Sequence, residues 1–266
     1  MDHWRVYGLP RSGNHAIIDW LCRNLGHEHT VFLNNCATGD PFKSFGYCNY
    51  AHDGHWRKHR ADIRAKGNRH MERLIAARDR AEHLVVSYET IDPTPEELSA
   101  TPTGLDPARH RGDVLILRSP LNRIASFIQR TRKEVTRPHR RAAFMADLQT
   151  EMTTRYATHL TAAQSGAVQP VIYDDWGASE RYRADVLDTL AIPARDTTLG
   201  TMTTAGGGSS FGQGEPLADI SRSRRWERFT EDPDFITMTR ALKAAPRVMA
   251  LVEAVFPEDA ARLGEA

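Results

Sequence analysis

The chain has 266 residues, is 40% hydrophobic and carries a formal net charge of +1. That length can fill one good core, while so small a net charge gives no global field to draw nucleic acid or an anionic membrane. Three cysteines, Cys22, Cys36 and Cys48, are odd in number and lack C-x-x-C spacing, which argues against a disulfide framework or structural zinc and for a reducing, cytoplasmic setting.

The first predicted strand begins by Trp4, leaving no room ahead of it for a signal peptide, and no apolar run reaches membrane-spanning length. It runs through Val6 and Tyr7 into Gly8-Leu9-Pro10-Arg11-Ser12-Gly13-Asn14-His15. From Ala16 to Leu25 the pattern is helical, with Ile17, Ile18, Leu21 and Leu25 on one face and Gly26 as a C-terminal cap. Two glycines with four residues between them, set between a strand and a helix, make a turn whose N–H groups converge on an anion. The spacing matches the first half of the nucleotide P-loop, G-x-x-x-x-G-K-[ST]. The second half fails, because Asn14 and His15 stand where the lysine and the magnesium-binding hydroxyl belong, and the basic residue is Arg11 inside the turn. Such a loop suits a phosphate-like group without the equipment for Mg-ATP.

Val31 to Leu33 reads as a second short strand. Residues 34 to 54 show no period and read as a substrate-facing loop, and Trp56 to Glu82 reads as a basic amphipathic helix with a solvated face. His83 to Tyr88 is a strand closed by Glu89, and Thr90 to Gly112 is a Pro-rich connection with a brief acidic helix. Asp113 to Leu117 reads as a fully buried parallel strand ending at Arg118, after which Pro120 opens a helix carrying Ile124, Ser126, Phe127 and Ile128. Val171 to Tyr173 is a further strand, followed by a helix around Arg181 to Leu190, a Gly/Ser loop at 205 to 214 and two or three closing helices. Strands alternating with helices predict an α/β fold: one domain over residues 1–266, P-loop-like, with a central parallel sheet flanked by helices. Ligands in such sheets bind beyond the carboxyl ends of strands, and Arg11 and Arg118 each follow one.

Together these two stretches resemble the signatures of sulfotransferases that use 3′-phosphoadenosine 5′-phosphosulfate (PAPS). The turn from Pro10 to His15 is similar to that family's 5′-phosphosulfate loop, and Arg118 with Ser126 eight residues on is similar to its 3′-phosphate motif. Val171-Ile172-Tyr173-Asp174-Asp175 resembles the strand whose tyrosine lies near the adenine. Gly208-Ser209-Ser210-Phe211 resembles the segment whose aromatic packs on it, and Arg222 to Thr230 the C-terminal basic loop. The resemblance implies a cofactor-binding set of Arg11, Ser12, Gly13, Asn14, His15, Arg118, Ser126, Tyr173, Ser209, Phe211 and one or more of Arg222, Arg224 and Arg225. It implies PAPS as donor, 3′,5′-adenosine bisphosphate as product, and no metal, because fixed cations and N–H donors can hold the charge that builds in sulfuryl transfer. It departs from the family where Asn14 and His15 replace two threonines.

By the same resemblance the catalytic base closes the strand before the 3′-phosphate strand, which points to Glu89, with His15, His52 and His55 as competitors. Arg11 would stabilise the bridging oxygen. The acceptor, a small molecule or carbohydrate, would meet an insertion around residues 34 to 112 that includes His52 and His55. No nucleic acid or membrane is expected as a partner, and a homodimer is left open. Two rival readings are a P-loop kinase-like enzyme, disfavoured by the missing lysine and hydroxyl, and a nucleic-acid module on the basic helices, disfavoured by the near-zero net charge.

Overall fold

The computed structural model describes residues 1–60, 69–135, 137–200 and 224–265. One sheet of seven strands organises them. In chain order the strands are β1 (Asp2–Gly8), β2 (Thr30–Asn34), β3 (Tyr47–His52), β4 (His55–Arg60), β5 (His83–Tyr88), β6 (His110–Leu117) and β7 (Gln169–Ile172), in the spatial order β4-β3-β2-β5-β1-β6-β7. The pairings among β2, β5, β1, β6 and β7 are all parallel, whereas β3 runs antiparallel to both β2 and β4. The fold is therefore α/β with a mostly parallel central sheet.

The central strands β1, β2, β5 and β6 are buried on both faces, which is why they read as nearly continuous apolar runs. Tyr7, Leu84, Val86, Leu115 and Leu117 point into one core, and Val6, Val85, Val114 and Ile116 into the other. The second core is closed by α1 (Asn14–Leu25) and by α9 (Glu180–Thr189), through Ile17, Leu21, Val186 and Leu187. The first is closed by α5 (Pro120–Glu134), α6 (Pro138–Thr153) and α7 (Arg155–Gln164), with α10 (Pro233–Lys243), α11 (Pro246–Val255) and α12 (Pro257–Glu265) outside them. Short helices α2 (Pro41–Ser44), α4 (Pro95–Ser99) and α8 (Tyr173–Ala178) fill connections, and α3 (Arg69–Arg80) precedes β5.

Two expectations needed correction. The supposed loop at 34–54 and the head of the supposed helix at 56–82 form the β3–β4 hairpin, and among the described residues of that stretch helix is present over α3. The reason is local: Asp53 and Gly54 both take positive φ, 51° and 72°, the conformation of the two-residue turn that joins twisted antiparallel strands. An Asp-Gly pair is a hairpin signal, and Cys48 and Tyr50 then bury against the sheet. The 34–112 stretch thus contributes β3, β4 and β5 to the common sheet. Tyr173 opens α8 instead of ending β7.

Candidate functional site

Because β1, β5, β6 and β7 are parallel, the turns after Gly8, Tyr88, Leu117 and Ile172 leave one edge of the sheet together. The first of these is the glycine loop. Arg11 and Gly13 both have positive φ, 72° and 93°, and Ser12 N–H donates to Leu9 O at 3.2 Å. Gly13 is required twice over, since a Cβ there would also lie 2.1 Å from the Tyr173 ring. Gly8 is required for a different reason: a Cβ would meet Asn14 Oδ1 at 2.3 Å. The Asn14 amide donates to Gly8 O at 2.9 Å and Leu9 O at 3.2 Å. Asn14 and Ser12 are buried, and the Asn14 amide closes the loop.

Arg11, Arg118 and Ser126 come together. Arg11 donates through Nε and Nη2 to Ser126 Oγ, both at 3.3 Å, and Arg118 donates through Nη1 to Arg11 O at 3.0 Å. Burial, with Arg130 and Arg118 nearby, lowers the Arg11 pKa to about 10, so it stays charged at neutral pH. Arg118 is only 3% exposed, and its Nε and Nη2 have no hydrogen-bond partner among the described residues. Its guanidinium lies 5.0 Å above the Tyr173 ring, so Tyr173 is wedged between Gly13 and Arg118. Asp174, next in sequence, accepts from Ser119 N at 2.8 Å and Asn122 Nδ2 at 3.0 Å. Burial raises its pKa, and Arg118 is the largest influence opposing that rise. Arg225 is docked nearby, its backbone N–H donating to Asn122 Oδ1 at 3.0 Å, whereas Arg224 is turned to solvent on Glu227. Ser209, Phe211 and Arg222 lie outside the described residues.

Across the loop from this cluster stand Glu89 and His15. His15 Nε2 is 3.9 Å from Glu89 Oε1, and the His15 ring stacks on Tyr47 with centroids 6.0 Å apart. Burial, followed by Lys58 and Arg11, pushes the His15 pKa down to about 4. Burial pushes Glu89 up, against a hydrogen bond from Asn14 and the charge of Arg130. The Glu89 backbone is held from both sides, by Asn35 Oδ1 at 3.4 Å from its N–H and by Arg155 Nη2 at 3.1 Å from its carbonyl. The imidazole is thus neutral and the carboxylate has an enhanced proton affinity.

His52 and His55 are not part of this group. They face each other at the hairpin turn, and because β3 runs antiparallel to β2, that turn lies beyond the opposite edge of the sheet from the glycine loop. The hairpin end that does approach the site offers Tyr47 and Lys58, with Lys58 Nζ 3.8 Å from the Tyr47 ring centroid. Neither was singled out from sequence, nor were Asn122, Asp259 or Arg123. Ser119 Oγ and Leu121 N–H both donate to Asp259 of α12, which seats a carboxylate on the first turn of α5. Only the Asp-Gly turn, by setting the hairpin register, could have brought Tyr47 and Lys58 to notice.

No family model matches this chain, and no curated protein matches it. Among solved structures it is similar to mouse sulfotransferase SULT7A1 complexed with PAP, at 12% identity and a TM-score of 0.49, over 99% of this chain and 88% of that one. A likeness at that level carries no argument about chemistry. Among the described residues, no cluster of His, Cys, Asp or Glu could hold a metal, and no helix is long and apolar enough to cross a membrane.

Proposed function

We propose that this chain is a sulfotransferase, moving a sulfuryl group from PAPS to a hydroxyl, or less readily an amine, of a small molecule or carbohydrate. One observation carries the reading. Two strand-end arginines and Ser126 converge on a glycine-shaped loop, and the deeper arginine holds buried N–H groups that find no acceptor among the described residues. Buried donors are rarely left unsatisfied in a resting protein, and an oxyanion is the partner that a guanidinium fork fits.

In this reading Arg11 and the first-turn N–H groups of α1 hold the phosphosulfate end, and Arg118 with Ser126 holds the 3′-phosphate. Bound PAPS supplies an activated sulfuryl group. Arg11, charged and desolvated, stabilises negative charge beside the loop, each charge-assisted hydrogen bond contributing roughly 1.5–3 kcal/mol. Glu89 takes the proton from the acceptor hydroxyl, its proton affinity raised by burial. His15 stays neutral at its side. Tyr47 and Lys58 border the acceptor's approach.

Calorimetric titration with 3′,5′-adenosine bisphosphate, against AMP and ATP, tests the donor assignment. The bisphosphate should bind at least about tenfold more tightly than AMP, the value of one charge-assisted contact set. Equal affinities, or magnesium-dependent ATP turnover, would overturn it. Glu89→Gln should abolish sulfuryl transfer and leave bisphosphate affinity within about twofold, since it removes a proton acceptor and no anion contact. Surviving transfer would move the base to His15.

A further inference from the structure

We infer that Glu151 is a positioning residue, fixing the spacing between the glycine loop and Glu89 as the shared acceptor of two arginines; the role assigned to Glu89 rests on the function proposed above. Glu151 is in α6, remote in sequence from both, and its carboxylate is partly buried. Arg123 Nη2 pairs with Glu151 Oε1, and the same nitrogen donates to Pro10 O in the glycine loop at 3.3 Å. Arg155 Nη1 faces Glu151 Oε2 at 3.6 Å. Arg155 also donates through Nη2 to Glu89 O at 3.1 Å and through Nε to Asp92 Oδ1 at 2.8 Å. One carboxylate therefore stands between a guanidinium that grips the loop backbone and a guanidinium that grips the backbone of the base.

The sheet explains why such a tie is needed. β1 and β5 are locked in register as far as Tyr7 opposite Tyr88. Beyond that pair the ladder ends and the two segments diverge into turns, so backbone pairing no longer sets the distance from Arg11 to Glu89. Arg123 is completely buried, and a buried guanidinium without its counter-charge is strongly disfavoured. Its grip on Pro10 is conditional on Glu151, and the orientation of Arg155 is shared between Glu151, Asp92 and Glu89. Misplacing a catalytic group by about 1 Å can cost a hundredfold in rate, so the tie bears on turnover although Glu151 touches no reacting atom.

The test compares Glu151→Gln with Arg155→Met by amide hydrogen exchange, bisphosphate calorimetry and sulfuryl transfer. Glu151→Gln should speed exchange about tenfold in residues 9–13 and in residues 89–91, and Arg155→Met only in the second segment. In turnover, Glu151→Gln should lower kcat about tenfold or more with weakened bisphosphate binding. Arg155→Met should lower kcat with bisphosphate affinity unchanged within about twofold. Unaltered exchange in both segments of Glu151→Gln would overturn the inference, as would uniform acceleration along the whole chain in both variants, which would mark a purely structural role. A native chain that binds no bisphosphate would sink the proposed function instead, and the segment-specific exchange pattern would still decide whether Glu151 ties the two turns.

Discussion

Two arginines in this molecule are equally buried, each 3% exposed, yet they live in opposite circumstances. Arg5, in β1, is saturated. It meets Asp113 through Nε and Nη2, both at 2.6 Å, and donates to the carbonyls of Glu97, Leu98 and Ala100 at 3.1, 2.6 and 2.7 Å. Among the described residues, Arg118, at the exit of β6, has one bond to Arg11 O, an aromatic ring beneath it and three N–H groups on Nε and Nη2 without acceptors. The first arginine fastens the α4 connection to the sheet. The second holds a charge in place with its hydrogen-bonding capacity still open. Burial alone does not distinguish a structural cation from a binding one; the count of satisfied donors does.

The largest effect that would break this comparison is on stability. Arg5→Met strips the counter-charge from Asp113, leaving His110 at 3.4 Å as its ionic neighbour among the described residues, and takes the guanidinium donors from three carbonyls. Removing one partner of a buried pair costs about 3–5 kcal/mol, so urea unfolding should show a loss of that size. A loss under about 1 kcal/mol would mean the saturated network is ornamental. Arg118→Met should behave the other way. It removes one hydrogen bond and an under-satisfied charge, so stability should change by no more than about 1 kcal/mol. Bisphosphate affinity should nevertheless fall about tenfold or more. Calorimetry on the folded variant reads this directly, and unchanged affinity would make Arg118 a second structural arginine.

The same contrast separates what could be read in the sequence from what could not. The glycine loop, Arg118 and Ser126 were legible because each is set by local geometry: a turn needing left-handed backbone at Gly13, a strand ending in arginine, and a serine two helical turns on. Parallel strands then deliver them to one edge without further information. Glu89 was legible as a strand terminus, but its environment was not, because Asn35, Arg155 and His15 reach it from three other elements. The hairpin was missed because a basic strand with its tip beyond the core lacks the alternation that marks a half-buried strand; His55, Arg57, Lys58 and Arg60 are all exposed. That reading grouped His52 and His55 with the glycine loop and passed over Tyr47 and Lys58, which lie at the hairpin end nearer to it. Arg123 gave no signal, since nothing in the local pattern shows that it is completely buried against α6.

His15 sharpens the comparison by the smallest margin. Arginine cannot shed its proton in a protein; an imidazole can, and His15 does. Burial, Lys58 and Arg11 bring its pKa from 6.5 to about 4. Between those two values the unfolded chain holds one more proton at this residue than the folded chain. The His15 contribution to stability therefore rises with pH, is complete above about 6.5 and fades as pH falls toward 4. The slope is at most about 1.4 kcal/mol per pH unit. Lys58→Met removes the second of the three causes, so the His15 pKa should move up toward 6.5 but stop short of it, because the ring is still buried. NMR titration of the His15 Cε1 proton reads that shift. His3 and His159 are also held near pH 4 by burial, so stability must be compared between native chain and variant at pH 5 and pH 7. A smaller difference across that interval in Lys58→Met isolates the His15 share. An unmoved titration would place Lys58 too far from His15 to act on it, and would leave the Tyr47 ring as the hairpin's contact with His15.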